Sequence, residues 1–152
     1  MPLQPTDIPS RAGIQAAIDE VYDRLTARTP WVNLTQTGGT AVTGTVQYRI
    51  VGEQYVQLRP AFTLAANLSV PPHGDISNIS FEALPAEARP GSDVLWSTKF
   101  ANGTTVMAWM RIYAGGSVQL DNVATRTDQA GGFTILAGAT LVGMTGLIPI
   151  GV

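Results

Sequence analysis

Apolar residues recur at helical spacing in only one part of the chain. Ile14, Ile18, Val21 and Leu25 are separated by 4, 3 and 4 positions. That period predicts an amphipathic helix of about 18 residues, roughly 27 Å long. Asp7 or Ser10 can cap its start, with Pro9 near the first turn. Thr29-Pro30 ends it, because the residue before a proline avoids the helical region. The pattern fits a helix lying on a sheet. It equally fits a short coiled coil, since 4-3-4 is heptad spacing and isoleucine-rich seams favour three strands.

From Trp31 onward the period changes to two. Val46, Tyr48 and Ile50 share one face of a strand, Gly52-Glu53 turns the chain, and Tyr55, Val56 and Leu58 lie on the return. Val106, Ala108, Met110 and Ile112 repeat the plan before Ala114-Gly115-Gly116, and Val118 and Leu120 follow. Asn102-Gly103 marks another hairpin. Ile76 to Phe81 and Asp93 to Phe100 read as strands either side of "LPAEARPG". Seven to nine short strands with frequent turns predict an antiparallel β-sandwich or jelly-roll-like domain. The expected organisation is a helical stem or docking segment at 1–30 and a β domain at 31–152, with a linker at Ala27 to Pro30.

Composition sharpens this. Only 13% of residues are charged, about half the usual share, against 45% hydrophobic. Such a chain has few charges to solubilise a large lone surface, so some of its surface is expected to be buried between subunits. A net charge of −2 points to neither nucleic acid nor an acidic membrane as partner. Cysteine is absent, which excludes disulfides, thiolate catalysis and cysteine-ligated metals. The N-terminus has no basic flank and no apolar h-region, so no secretory signal is read. After Asp128 no charge occurs, and "FTILAGATLVGMTGLIPIGV" is about the length that spans a bilayer. It carries four glycines, three threonines and a proline, which favours two strands buried in a subunit interface over membrane insertion.

Candidate chemistry is sparse. His73, the only histidine, stands near Asp75 in a proline-rich loop, but no Gly-x-Ser-x-Gly elbow accompanies it. One histidine without cysteine argues against zinc, and no metal or cofactor is expected. "GGTAVTGT" at 38–45 has phosphate-loop glycine spacing but lacks the lysine and the following helix, so it reads as a Gly/Thr turn. Glu82, Glu87, Asp121 and Asp128 are too few and too scattered to suggest an acid–base pair, and no catalysis is expected. Asn-x-Ser/Thr triplets at Asn33, Asn67, Asn78 and Asn102 follow from the Ser/Thr/Asn content. Of Trp31, Trp96 and Trp109, core packing is the default. Trp96 and Trp109 are the candidates for stacking on a ligand, because an exposed indole presents an apolar face to a sugar ring.

Several of these pieces occur in an order that is informative. A tryptophan follows a short helix, then come "VQYRIVGEQYVQLRPAF", "ISFEALPAEARPGSDV", a long strand and "RIYAGGSVQL". Over roughly Trp31 to Leu120 this resembles the C-terminal head domains of phage tail fibres and baseplate receptor-binding proteins. The matching corner is Leu84, Pro85, Arg89 and Pro90, and the matching hairpin runs from Arg111 to Leu120. The two prolines cannot donate to a sheet. Leu84 can plug the core, and Arg89 can reach backbone carbonyls to pin the loop. The corner is therefore read as architecture.

The resemblance implies a homotrimer whose seam is Ile14, Ile18, Val21 and Leu25, located on the virion. It also implies partners among tail or capsid proteins and a host-surface saccharide or protein. The alternative is a capsid decoration or baseplate protein that binds only other virion components. Such heads often end long polypeptides. Here roughly 30 residues precede the β region, which suits a small protein docked on a larger part.

Overall fold

The computed structural model describes residues 10–101, 106–124 and 132–151, apart from the side chains of Asp75, Ser77 and Asn78. The expected roles of Asp7, Pro9, the Asn102-Gly103 hairpin, Asp128 and the carboxylate of Asp75 lie outside the described residues, as does the side chain of Asn78.

The periodic N-terminal segment forms helix α1, Arg11–Thr26. Ser10 caps it: its hydroxyl accepts the Gly13 N–H at 3.0 Å, satisfying a donor that has no partner within the first turn. The helix ends at Ala27, before Thr29-Pro30. No residue of α1 is buried.

The expected linker at 27–30 is instead sewn onto the sheet. Gly52 N–H donates to Ala27 O at 2.8 Å, Thr29 N–H to Ile50 O at 3.0 Å, and Ile50 N–H to the Thr29 hydroxyl at 2.9 Å. Gly52 has φ +60°, and a Cβ there would stand 2.2 Å from the Leu25 carbonyl oxygen. Only glycine allows so close an approach between the helix end and the turn.

Twelve strands follow: β1 (Val32–Leu34), β2 (Gln36–Gly38), β3 (Val42–Val51), β4 (Tyr55–Leu64), β5 (Leu68–Val70), β6 (Asp75–Phe81), β7 (Val94–Ala101), β8 (Val106–Ile112), β9 (Val118–Val123), β10 (Phe133–Ile135), β11 (Thr140–Val142) and β12 (Ile148–Pro149). The fold is mainly β and antiparallel with one N-terminal helix. The main sheet runs β1-β3-β4-β11-β7-β8-β9-β6-β2, with β12 also on β4, while β10 and β5 form a separate pair. The first and last strands of that order are consecutive in the chain, separated only by Thr35. Thr35 ties the run to the β6 side: its N–H donates to Glu82 Oε2 at 2.9 Å, and its carbonyl accepts Glu82 N–H at 2.8 Å. One extended run thus serves β3 on one side and β6 on the other, and the sheet wraps almost closed around its core.

The period-2 pattern sets what lies inside. Val56, Leu58, Phe62 and Leu64 of β4 are buried, as are Ala108, Met110 and Ile112 of β8. Phe62 and Phe81 belong to strands that are not neighbours, yet their ring centroids are 5.2 Å apart across the interior. Segment 38–45 is only partly a turn, because β3 already begins at Val42. Gly44 there has φ +98° against the backbone of Ala61.

The uncharged tail departs from the expectation of an interface between subunits. β11 inserts between β4 and β7, with Leu141 opposite Phe62 on one side and Phe100 on the other. Leu141, Ile135 and Ile148 join the core of the same chain. Thr145 splices the loop before β12 to β4: its N–H donates to Leu58 O at 2.9 Å, while its hydroxyl accepts Leu58 N–H at 2.8 Å. Among the described residues no helix is long and apolar enough to cross a membrane.

Candidate functional site

The Leu84–Pro90 corner is part of the scaffold. Leu84 is fully buried and its N–H donates to Gly116 O at 2.9 Å. Arg89 Nε donates back to Leu84 O at 3.0 Å. Pro85 leads into a short 3-10 turn at Ala86–Ala88, and Pro90 is bridged by Ile150 of the tail. No side chain of this corner lines a recess described below.

The tryptophans separate. Trp96 is 8% exposed and belongs to the core. It points inward in phase with Thr98 and Phe100, so it is corrected from a ligand candidate to a packing residue. Trp109 sits on the outer face of β8, half-buried, in phase with Met107 and Arg111.

Around Trp109 lies an open recess of about 460 Å³ lined by His73, Leu95, Arg111, Asp121, Asn122 and the β9 end. Two local irregularities assemble it. β9 carries a bulge: Trp109 pairs with Asn122 and Met110 with Leu120, which leaves Asp121 as the extra residue. A bulge re-aims the side chains beside it, and here Asp121 and Asn122 both reach the outer surface. The second is the loop before β6. Gly74 has φ +79°, and a Cβ there would come within 2.3 Å of Val123 O and 2.5 Å of Asn122 Oδ1. The glycine lets the loop lie flat on β9, where Val123 N–H donates to Gly74 O at 3.0 Å, and this sets His73 at the rim.

Arg111 and Asp121 form the polar floor. Arg111 Nη2 donates to Asp121 Oδ2 at 3.1 Å, and Nε lies 3.1 Å from Oδ1. That second approach is poorly aimed, and the buried Nε–H is left without an acceptor among the described residues. The hydrogen bond and charge of Asp121 raise the Arg111 pKa further, so the guanidinium stays charged. The Arg111 guanidinium carbon is also 5.7 Å from the Tyr113 ring centre. An indole face beside a fixed charge pair, an imidazole and a carboxamide can stack on an apolar ring face while hydrogen-bonding its hydroxyl edge. Both Asp121 oxygens lie toward Arg111. Among the described residues no cluster of histidine and carboxylate side chains could hold a metal.

The helix residues Ile14, Ile18, Val21 and Leu25 share one bare face, each about half exposed. A second feature escaped the sequence reading. Arg49 and Arg59, from β3 and β4, lie 4.4 and 4.2 Å from the ring centre of Trp31.

No protein-family model and no curated protein matches the chain. Among solved structures it is similar to the head domain of lactococcal phage bIL170, described among the receptor-binding domains of such phages. The TM-score is 0.53 at 17% identity, covering 80% of this chain and 97% of that one. The chain has the fold of that head domain. The likeness takes in nearly the whole phage domain.

Proposed function

We propose that the chain is a receptor-binding head of a phage tail fibre or baseplate, holding a host-surface saccharide at the Trp109 recess. The observation that carries this reading is the recess itself: an outward tryptophan beside Arg111, Asp121, Asn122 and His73, on a phage head fold. A protein that served only to bind other virion parts would need no such aromatic and polar pocket. Binding without catalysis suits a site whose best-placed carboxylate is tied to an arginine.

The proposed assembly is a homotrimer seamed by Ile14, Ile18, Val21 and Leu25, on the virion surface, with 1–30 as stem and 31–152 as head. The bare face of α1 also favours a second reading, a capsid decoration or baseplate subunit that docks by its helix and meets no receptor.

The deciding experiment measures binding of the labelled full-length protein to a panel of bacterial cells and their purified wall polysaccharides. Trp109→Ala is expected to lower binding about tenfold or more at an unchanged melting temperature, as loss of a central aromatic contact does. Binding to no bacterial surface, together with binding to other virion proteins, would favour the decoration reading.

A further inference from the structure

A tripeptide occurs twice in one hairpin. Gln47-Tyr48-Arg49 on β3 and Gln57-Leu58-Arg59 on β4 are antiparallel neighbours, with Gln47 opposite Arg59 and Arg49 opposite Gln57. Tyr48 and Leu58 face the core, so the two glutamines and two arginines form a checkerboard on the opposite face of the hairpin, with Gln57 itself buried beneath Thr145. Arg49 Nε and Nη2 both donate to Gln57 Oε1, at 2.9 and 2.8 Å. Arg59 Nε donates to Gln47 Oε1 at 2.8 Å. The glutamines are held in turn: Gln47 Nε2 donates to Asn33 Oδ1 at 2.9 Å and Gln57 Nε2 to Thr145 O at 3.2 Å. Trp31, one residue before β1, lies against both guanidiniums.

This arrangement fixes two cations without neutralising them. Gln carbonyls and an indole face orient a guanidinium but carry no net charge. The ion pairs among the described residues are Arg24–Glu53 and Arg111–Asp121, and neither involves Arg49, Arg59 or the exposed Arg28 nearby. Burial lowers the Arg49 pKa, and the charges of Arg28 and then Arg59 lower it further. Both Nη groups of Arg59 and Nη1 of Arg49 make no hydrogen bond among the described residues. Unspent planar donors on neighbouring guanidiniums match the geometry of a carboxylate or phosphate.

We propose that Arg49 and Arg59 over Trp31, with Arg28 bridged to the end of β3, form a site for a dissolved oxyanion of the phosphate or carboxylate class, separate from the Trp109 recess. The site stands on the β3–β4 face beside the helix joint, and it holds whether or not the Trp109 recess binds a saccharide.

The test uses the full-length protein and inorganic phosphate, titrated against sodium chloride at matched ionic strength. It follows the Trp31 indole and arginine Nε–H resonances by NMR, with Trp31→Phe assigning the indole. Phosphate is expected to shift them saturably where chloride does not. Arg59→Gln should weaken that binding about ten- to a hundredfold, the worth of charge-assisted hydrogen bonds. Arg28→Gln removes an exposed side chain, leaves folding alone, and should weaken it about 1.5- to 5-fold. Trp109→Ala should leave it unchanged. The proposal fails if phosphate acts no differently from chloride, or if Arg59→Gln and Arg28→Gln both titrate like the parent. It also fails if dilution of the protein alone moves the same resonances, which would show a carboxylate of a second copy filling the site.

Discussion

In β4, Val56, Leu58, Phe62 and Leu64 are at most 1% exposed, whereas in α1 Ile14, Ile18, Val21 and Leu25 are between 48% and 55% exposed. Both sets are regular apolar patterns. The strand residues find partners within the chain, in the common core that the wrapped sheet encloses. The helix residues stay half exposed among the described residues. A helix of 16 residues is marginal in water by propensity alone. Here its ties to the barrel are the backbone stitches at Ala27 and Thr29 and an exposed Arg24–Glu53 ion pair at 3.2 Å. Periodicity thus reports which residues need burial and is silent on what buries them.

The contrast can be broken from the barrel side first. Phe100→Ala removes a fully buried ring packed beside Leu141 and should cost about 3–5 kcal/mol, read as a lower denaturation midpoint. The joint comes next. Gly52→Ala should cost roughly 1–3 kcal/mol, because it forces a Cβ into the Leu25 carbonyl at positive φ. Its signature is faster amide exchange at the C-terminal end of α1 than in β7 or β8. The smallest effect on the barrel is expected from Ile18→Asp. The melting of the barrel itself should stay within about 0.5 kcal/mol of the parent, and, on the proposed trimer, the native mass should fall from three chains to one. An unchanged mass would sink the helical seam.

Much of the β architecture could be read from the residues. Alternation in β3, β4 and β8 is long enough to mark their inner faces, and glycine at Gly52 and Gly116 marks their turns. The tail could not be read in this way. β10, β11 and β12 have three residues or fewer, too short for a period, and β11 lies between strands about 40 and 80 residues earlier in the chain. The closure at Thr35 is likewise a long-range pairing with no local mark.

The site divides similarly. Trp109 stood out by type and phase, and His73 and Asp121 each drew notice for other reasons. Their meeting depends on a one-residue bulge and on Gly74, which no periodicity reveals. Trp96 was separable by its phase with Phe100. The repeated Gln-x-Arg tripeptide was visible in the sequence, but only antiparallel register turns two such runs into one cationic surface.

The shared strand at Thr35 has a further consequence, for behaviour at high concentration. A sheet whose two end strands are halves of one run has less unpaired backbone rim at that junction, so a neighbouring copy has fewer places to add a strand there. Copies crowded side by side find the rim at this junction, among the described residues, already occupied by the chain's own strands.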